Sequence, residues 1–121
     1  MSNSVEKFED LITWQKSKSL YLGIYKKFKD SREFYFKDQI CRASLSIMNN
    51  IAEGFERFSV KEYVRFLFIA KGSCGEVRSM LNIAVELQLV DESEFKNWNE
   101  LSIEISKCLA GMIKSLQRKI I

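Results

Sequence analysis

Few side chains in this 121-residue sequence could do chemistry, and their spacing argues against a catalytic centre. No histidine occurs, which removes the commonest general base and the commonest metal ligand. The three cysteines, Cys41, Cys74 and Cys108, stand far apart with no paired spacing; they read as reduced, buried thiols rather than metal ligands. G-S-C-G at Gly72 lies inside a helical pattern with no strand before it, so it is no phosphate loop. The only separated carboxylate pair that could share acid-base work is Glu53 and Glu76, and each is equally well explained as an ordinary helix-surface charge. These residues predict a protein that is not an enzyme and that uses no metal or cofactor. What remains is positive charge: Arg57, Lys61 and Arg65 in one stretch, Lys114, Arg118 and Lys119 in another. Such groups can hold phosphates if the fold brings them together.

The elements that position them are four amphipathic helices, expected at about 11–28, 36–53, 60–89 and 92–118. In the second, Ile40, Ala43, Ser44, Ile47, Ile51 and Gly54 recur at helical spacing and define one apolar, mostly small face. Gly54 sits where a helix takes a left-handed C-terminal residue. S-V-K-E at Ser59 then reads as a capping box, with Phe58 and Tyr63 as its hydrophobic staple. The third helix carries Val60, Tyr63, Leu67, Ala70, Cys74, Val77, Leu81 and Ala84 in steps of three and four, the seam of a near-antiparallel bundle. Gly72 and Gly75 each cost roughly 1 kcal/mol in a helix interior; close approach by a neighbouring helix would offset that.

The first helix, capped by Asp10, shows a stripe of Trp14, Ser17, Tyr21, Ile24 and Phe28, and its outer face has five lysines and no acid between Leu11 and Lys29. The last starts at an aspartate cap, Asp91, and carries Trp98, Leu101, Ile105, Cys108, Met112 and Ser115. Short connections predict an all-α, up-down-up-down antiparallel four-helix bundle in one domain. The longest fully apolar run, Phe66 to Ala70, is far short of the roughly 20 residues a membrane span needs. M-S-N-S-V-E-K has neither the basic start nor the apolar core of a signal peptide, and the expected location is the cytoplasm.

Several spaced motifs resemble one family: F-E-D-L-I-T-W-Q-K from Phe8, I-Y at Ile24, N-I-A-E-G ending at Gly54, R-F-S-V-K-E-Y, F-L-F-I-A-K-G-S-C-G-E, and K-S-L from Lys114. The chain resembles the bacterial four-helix bundle proteins encoded in intervening sequences of large-subunit ribosomal RNA genes, and is similar to the accessory variability proteins of diversity-generating retroelements. The resemblance covers nearly the whole chain. It implies a homopentameric ring and marks Arg42, Asn50, Glu53, Gly54, Gly72 and Ser73 as motif positions, without a catalytic role. Family members commonly carry a second arginine where Cys41 stands and a proline where Met48 stands. Losing the first removes a positive charge, and losing the second leaves a straighter helix.

Pairing the hairpin arms about Arg57 sets Gln39 and Arg42 level with Ser73 and Glu76, and Asn50 level with Val64. Mid-helix Asn50 and Arg42 then read as structural, Asn50 through a hydrogen bond to the neighbouring helix. Phe66, Phe68 and Ile69 make the third helix apolar on nearly every side, which predicts burial against other copies of the chain. The expected topology gathers Arg57, Lys61, Arg65, Lys114, Arg118 and Lys119 at one end. Net charge is only +3, from 19 basic and 16 acidic residues, so weak, sequence-nonspecific RNA or DNA binding is expected. The sequence thus points to an oligomeric adaptor for nucleic acid, or for a nucleic-acid enzyme such as a reverse transcriptase; the alternative is a structural protein-interaction module.

Overall fold

The computed structural model describes residues 5–120. A 3-10 turn at Phe8–Asp10 precedes four helices: α1 Ile12–Phe28, α2 Phe34–Phe55, α3 Val60–Glu86 and α4 Glu92–Gln117. No strand occurs among the described residues. The links 29–33, 56–59 and 87–91 are long enough only to reverse the chain, so successive helices pack as neighbours, and α4 returns against α1 to close the bundle. The all-α four-helix architecture is as the periodicity predicts.

Helix ends follow local chemistry. Asp91 completes a capping box: its Oδ1 accepts from the Glu94 amide at 2.7 Å, and its own amide donates to Glu94 Oε1 at 2.9 Å. Ser59 caps α3 by accepting from the Glu62 amide at 3.1 Å, but Glu62 does not reach back, because Arg65 holds its carboxylate. Phe58 is fully exposed, so it forms no staple with Tyr63. Nor does Asp10 cap α1; it lies in the 3-10 turn, and Leu11 takes the cap position with no side-chain bond. The third helix stops at Glu86, short of the expected Leu89. Gln88 turns left-handed there, with φ 61°, and the Leu89 and Gln88 amides donate to the Ala84 and Val85 carbonyls, the Schellman pattern.

Leu20, Ile24, Phe28, Ile40, Ile47, Ile51, Leu67, Leu81, Ile105 and Leu109 fill the centre, each contributing about 1.5–3 kcal/mol on burial. The whole expected α2 face is buried, as is the α3 seam from Leu67 to Ala84. In α1 the stripe is rotated: Thr13 and Leu20 are buried, while Trp14 and Tyr21 lie at the edge. Three buried hydroxyls find their partner within their own helix, whereas Thr13 donates across to Met112 Sδ of α4 at 3.3 Å. Ser17, Ser44 and Ser102 donate to the carbonyls of Thr13, Ile40 and Trp98 four residues back, which satisfies them inside an apolar core.

Candidate nucleic-acid interface

The end of the bundle at the α2–α3 turn is built on Gly54. This glycine has no positive φ and lies within α2 rather than capping it. Its role is close approach: a Cβ there would stand 2.8 Å from Phe66 Cβ and 3.2 Å from the Tyr63 carbonyl oxygen. Phe55 meets Tyr63 edge-on at 6.0 Å between centroids. Burial pushes the Tyr63 hydroxyl up to about 12, so it stays protonated.

On this apolar floor lie two arginines. The guanidinium carbons of Arg57 and Arg65 stand 4.8 and 4.6 Å from the Phe66 ring centroid, within cation–π range. Arg57 also pairs with Glu53 at 2.6 Å, and Arg65 donates twice to Glu62, at 3.1 and 3.3 Å. That hydrogen bond leads in holding the Glu62 carboxyl below the ordinary glutamate range and the Arg65 guanidinium above its own. Phe66 is therefore not on the outer face where the sequence pattern set it; it is 7% exposed, beneath the two arginines.

The C-terminal end of α4 reaches the same place. Phe55, Tyr63, Met112, Leu116 and Lys119 line one hollow of about 570 Å³. Lys61, Lys114, Arg118 and Lys119 are exposed and take part in none of the ion pairs among the described residues. Arg57 and Arg65 thus arrive already paired, the other four cations are free of ion pairs, and Glu56 with Glu9 and Asp10 before α1 partly offsets them at the same end.

The sequence profile of the 23S rRNA-intervening sequence proteins matches residues 9–111. The chain belongs to that family. A search of curated proteins gave no match. A solved structure, that of a protein of unknown function from the S23 ribosomal protein family of Bacteroides thetaiotaomicron VPI-5482, superposes with a TM-score of 0.80 at 27% identity, covering 85% of this chain and 99% of that one.

In this 23S rRNA-intervening sequence protein, the motif positions do different work. Ser46 and Ser73 hydroxyls meet across α2 and α3 at 3.0 Å. Asn50 donates to the Ser46 carbonyl at 2.8 Å and to its hydroxyl at 3.0 Å. Asn50 therefore bonds within its own helix, not to its neighbour as expected, and Ser46 carries the link across. Ser46 with Ser73, and Gly54 with Phe66, set the arms about one turn away from pairing about Arg57, because the seat of Phe66 on Gly54 fixes the register. Gly72 and Gly75 are exposed, and a Cβ at either would meet nothing within 4 Å; no helix of this chain offsets their cost. Beside them, Phe68 and Ile69 are 51% and 41% exposed, with Ile83 farther along.

Two further features were not legible in the sequence. Trp98 of α4 lies against Gly23 of α1, where a Cβ would stand 2.9 Å from the indole Nε1. Tyr21 and Tyr25, one turn apart with ring centroids 6.0 Å from each other, border a groove with Lys37, Cys41 and Arg42 of α2; the i, i+4 tyrosine spacing was the available signal. Of the four α1 lysines, Lys16 and Lys27 pair with Glu104 and Glu94 of α4. Burial pushes the Cys74 thiol up to about 12 and raises that of Cys41, which suppresses thiolate chemistry at both.

Proposed function

We propose that this member of the 23S rRNA-intervening sequence protein family is a non-catalytic, cytoplasmic, oligomeric adaptor that binds RNA or DNA weakly and without sequence preference. The end carrying Lys61, Lys114, Arg118 and Lys119, with Arg57 and Arg65 behind them, is the contact surface. The observation that supports this reading is that the start of α3, with Lys61, and the end of α4, with Lys114, Arg118 and Lys119, lie at the same end of the bundle, and none of these four joins an ion pair among the described residues. Self-association through the outer face of α3, around Phe68 and Ile69, multiplies a modest patch into a larger field; a pentamer is the number the family resemblance implies. No helix among the described residues is long and apolar enough to cross a membrane. Nucleic-acid processing, by a reverse transcriptase for example, falls to a partner.

The test is binding of labelled RNA and DNA at low and moderate salt by the wild type and a Lys61→Glu, Arg118→Glu, Lys119→Glu variant. On duplex DNA the logarithm of affinity should fall with the logarithm of salt at about 0.9 per phosphate neutralised, and the variant should bind more weakly with a shallower slope. Unchanged binding by a folded variant rejects this patch. A second reading, a protein-interaction module without nucleic acid, is favoured by the exposed apolar side of α3. Wild-type protein that binds no strand at low salt, yet is dissociated by Phe68→Glu in light scattering, selects it.

A further inference from the structure

The groove between α1 and α2 combines aromatic side chains with cations. It is about 390 Å³ in volume, within the range of small-ligand clefts, and lies about 20 Å along α2 from the cation cluster at the α2–α3 turn. Tyr21, Tyr25, Cys41 and Leu45 give it aromatic and apolar walls, while Lys37 and Arg42 rim it and Asp38 is its sole carboxylate. Tyr25 is 45% exposed, so a ring face is available. Arg42 is exposed and has no ion-pair partner among the described residues. Beside it runs an α1 surface that has no acidic residue between Leu11 and Lys29.

Aromatic rings flanked by unpaired cations are the features with which proteins hold unpaired nucleotides: the ring stacks on a base and the cation meets the phosphate. A duplex offers only its backbone to such a groove, because its bases are already stacked inside. We propose that the α1–α2 groove seats an unpaired nucleotide of a nucleic-acid strand, its base against Tyr25 and its phosphate on Arg42. This rests on the proposed nucleic-acid function but on none of the residues of the end cluster. It adds a preference for single strands that the cluster alone lacks.

The experiment compares a fluorescein-labelled thymidine single strand, the same strand with abasic sites, and the matched duplex, by anisotropy at low salt on the full chain. Tyr25→Ala should weaken single-strand binding about tenfold and leave abasic-strand and duplex binding as in the wild type. Tyr25→Trp, which keeps a ring, should retain single-strand binding and guards against a folding defect in the alanine variant. Arg42→Gln should lower the single-strand salt slope by about 0.7, one phosphate's share. The proposal is overturned if Tyr25→Ala leaves the ratio of single-strand to duplex affinity unchanged, if the abasic strand binds as tightly as the intact one, or if no strand binds at all. The end-cluster variant separates the two readings: it should weaken single strand and duplex alike, and full duplex binding by that variant rejects the cluster while leaving the groove to be judged on Tyr25.

Discussion

Phe66 and Phe68 lie two residues apart on α3 and face opposite environments. Phe66 fills the space that Gly54 leaves open and supports two guanidinium groups. Phe68 stands 51% exposed on an outer face where Gly72 and Gly75 touch nothing. Phenylalanine meets glycine at only one of these two places. At the α2–α3 turn Phe66 packs on Gly54 within the chain, whereas on the outer face Phe68 is half exposed and Gly72 and Gly75 meet no described residue. A glycine in a helix interior is informative only once its neighbour is known.

The contrast is broken most strongly by removing the buried ring. Phe66→Ala should destabilise by about 3–5 kcal/mol, as Phe-to-Ala changes in cores do, and should release Arg57 and Arg65 from their shared platform. Phe68→Ala, at a solvated position, should change the stability of the isolated chain by no more than about 0.5 kcal/mol. Denaturant unfolding of the two variants measures both; comparable losses would show that the outer face is as covered as the inner one.

Next come the glycines. Gly54→Ala sets a methyl group 2.8 Å from Phe66 Cβ, where neither neighbour can yield without moving backbone, and a loss of about 1–3 kcal/mol is expected. Gly72→Ala meets nothing and should stabilise α3 by about 1 kcal/mol through helix propensity alone. The opposite signs, read from thermal unfolding, are the sharpest form of the comparison. If Gly72→Ala stabilises the fold yet weakens self-association in light scattering, the glycine is kept for the partner copy.

Much of this was legible in the sequence because α2 and the seam of α3 bury small or branched apolar residues at strict helical spacing. Ile40, Ala43, Ser44, Ile47 and Ile51 admit only one core-facing side. The pattern misled where a side chain is amphipathic or a local partner competes. Trp14 and Tyr21 are large but carry a polar end, and they yield the centre of α1 to Thr13 and Leu20. Glu62 has the spacing of a capping-box glutamate but prefers the charge of Arg65. Tyr21 of the α1–α2 groove looks like a core residue in one dimension. What Tyr21 and Tyr25 form together depends on which residues of α2 lie beside them, and one helix cannot report that.

The smallest expected effect concerns Glu62, and it links the paired arginines to binding. The hydrogen bond from Arg65 is the leading cause that holds the Glu62 carboxyl below its ordinary value of 4.5; desolvation, next in size, opposes it, and the charges of Arg65, Arg57 and Lys61 add to the lowering. A carboxyl whose pKa is lower in the folded than in the unfolded state adds stability that is fully present above the unfolded value and is lost as pH falls through the folded one. Because the pair is exposed and solvent screens it, unfolding should record little. Carbon NMR of the side-chain carboxyl should record more: a midpoint below 4.5, moving back toward it in Arg65→Met. A midpoint that ignores Arg65 removes the pairing as its cause. Protonating Glu62 also leaves Arg65 without its carboxylate, over Phe66 and beside Lys61, so phosphate binding at this end should tighten as the solution is acidified through that midpoint. The Arg65→Met variant should lose that added affinity while keeping the contribution of Lys61, Arg118 and Lys119.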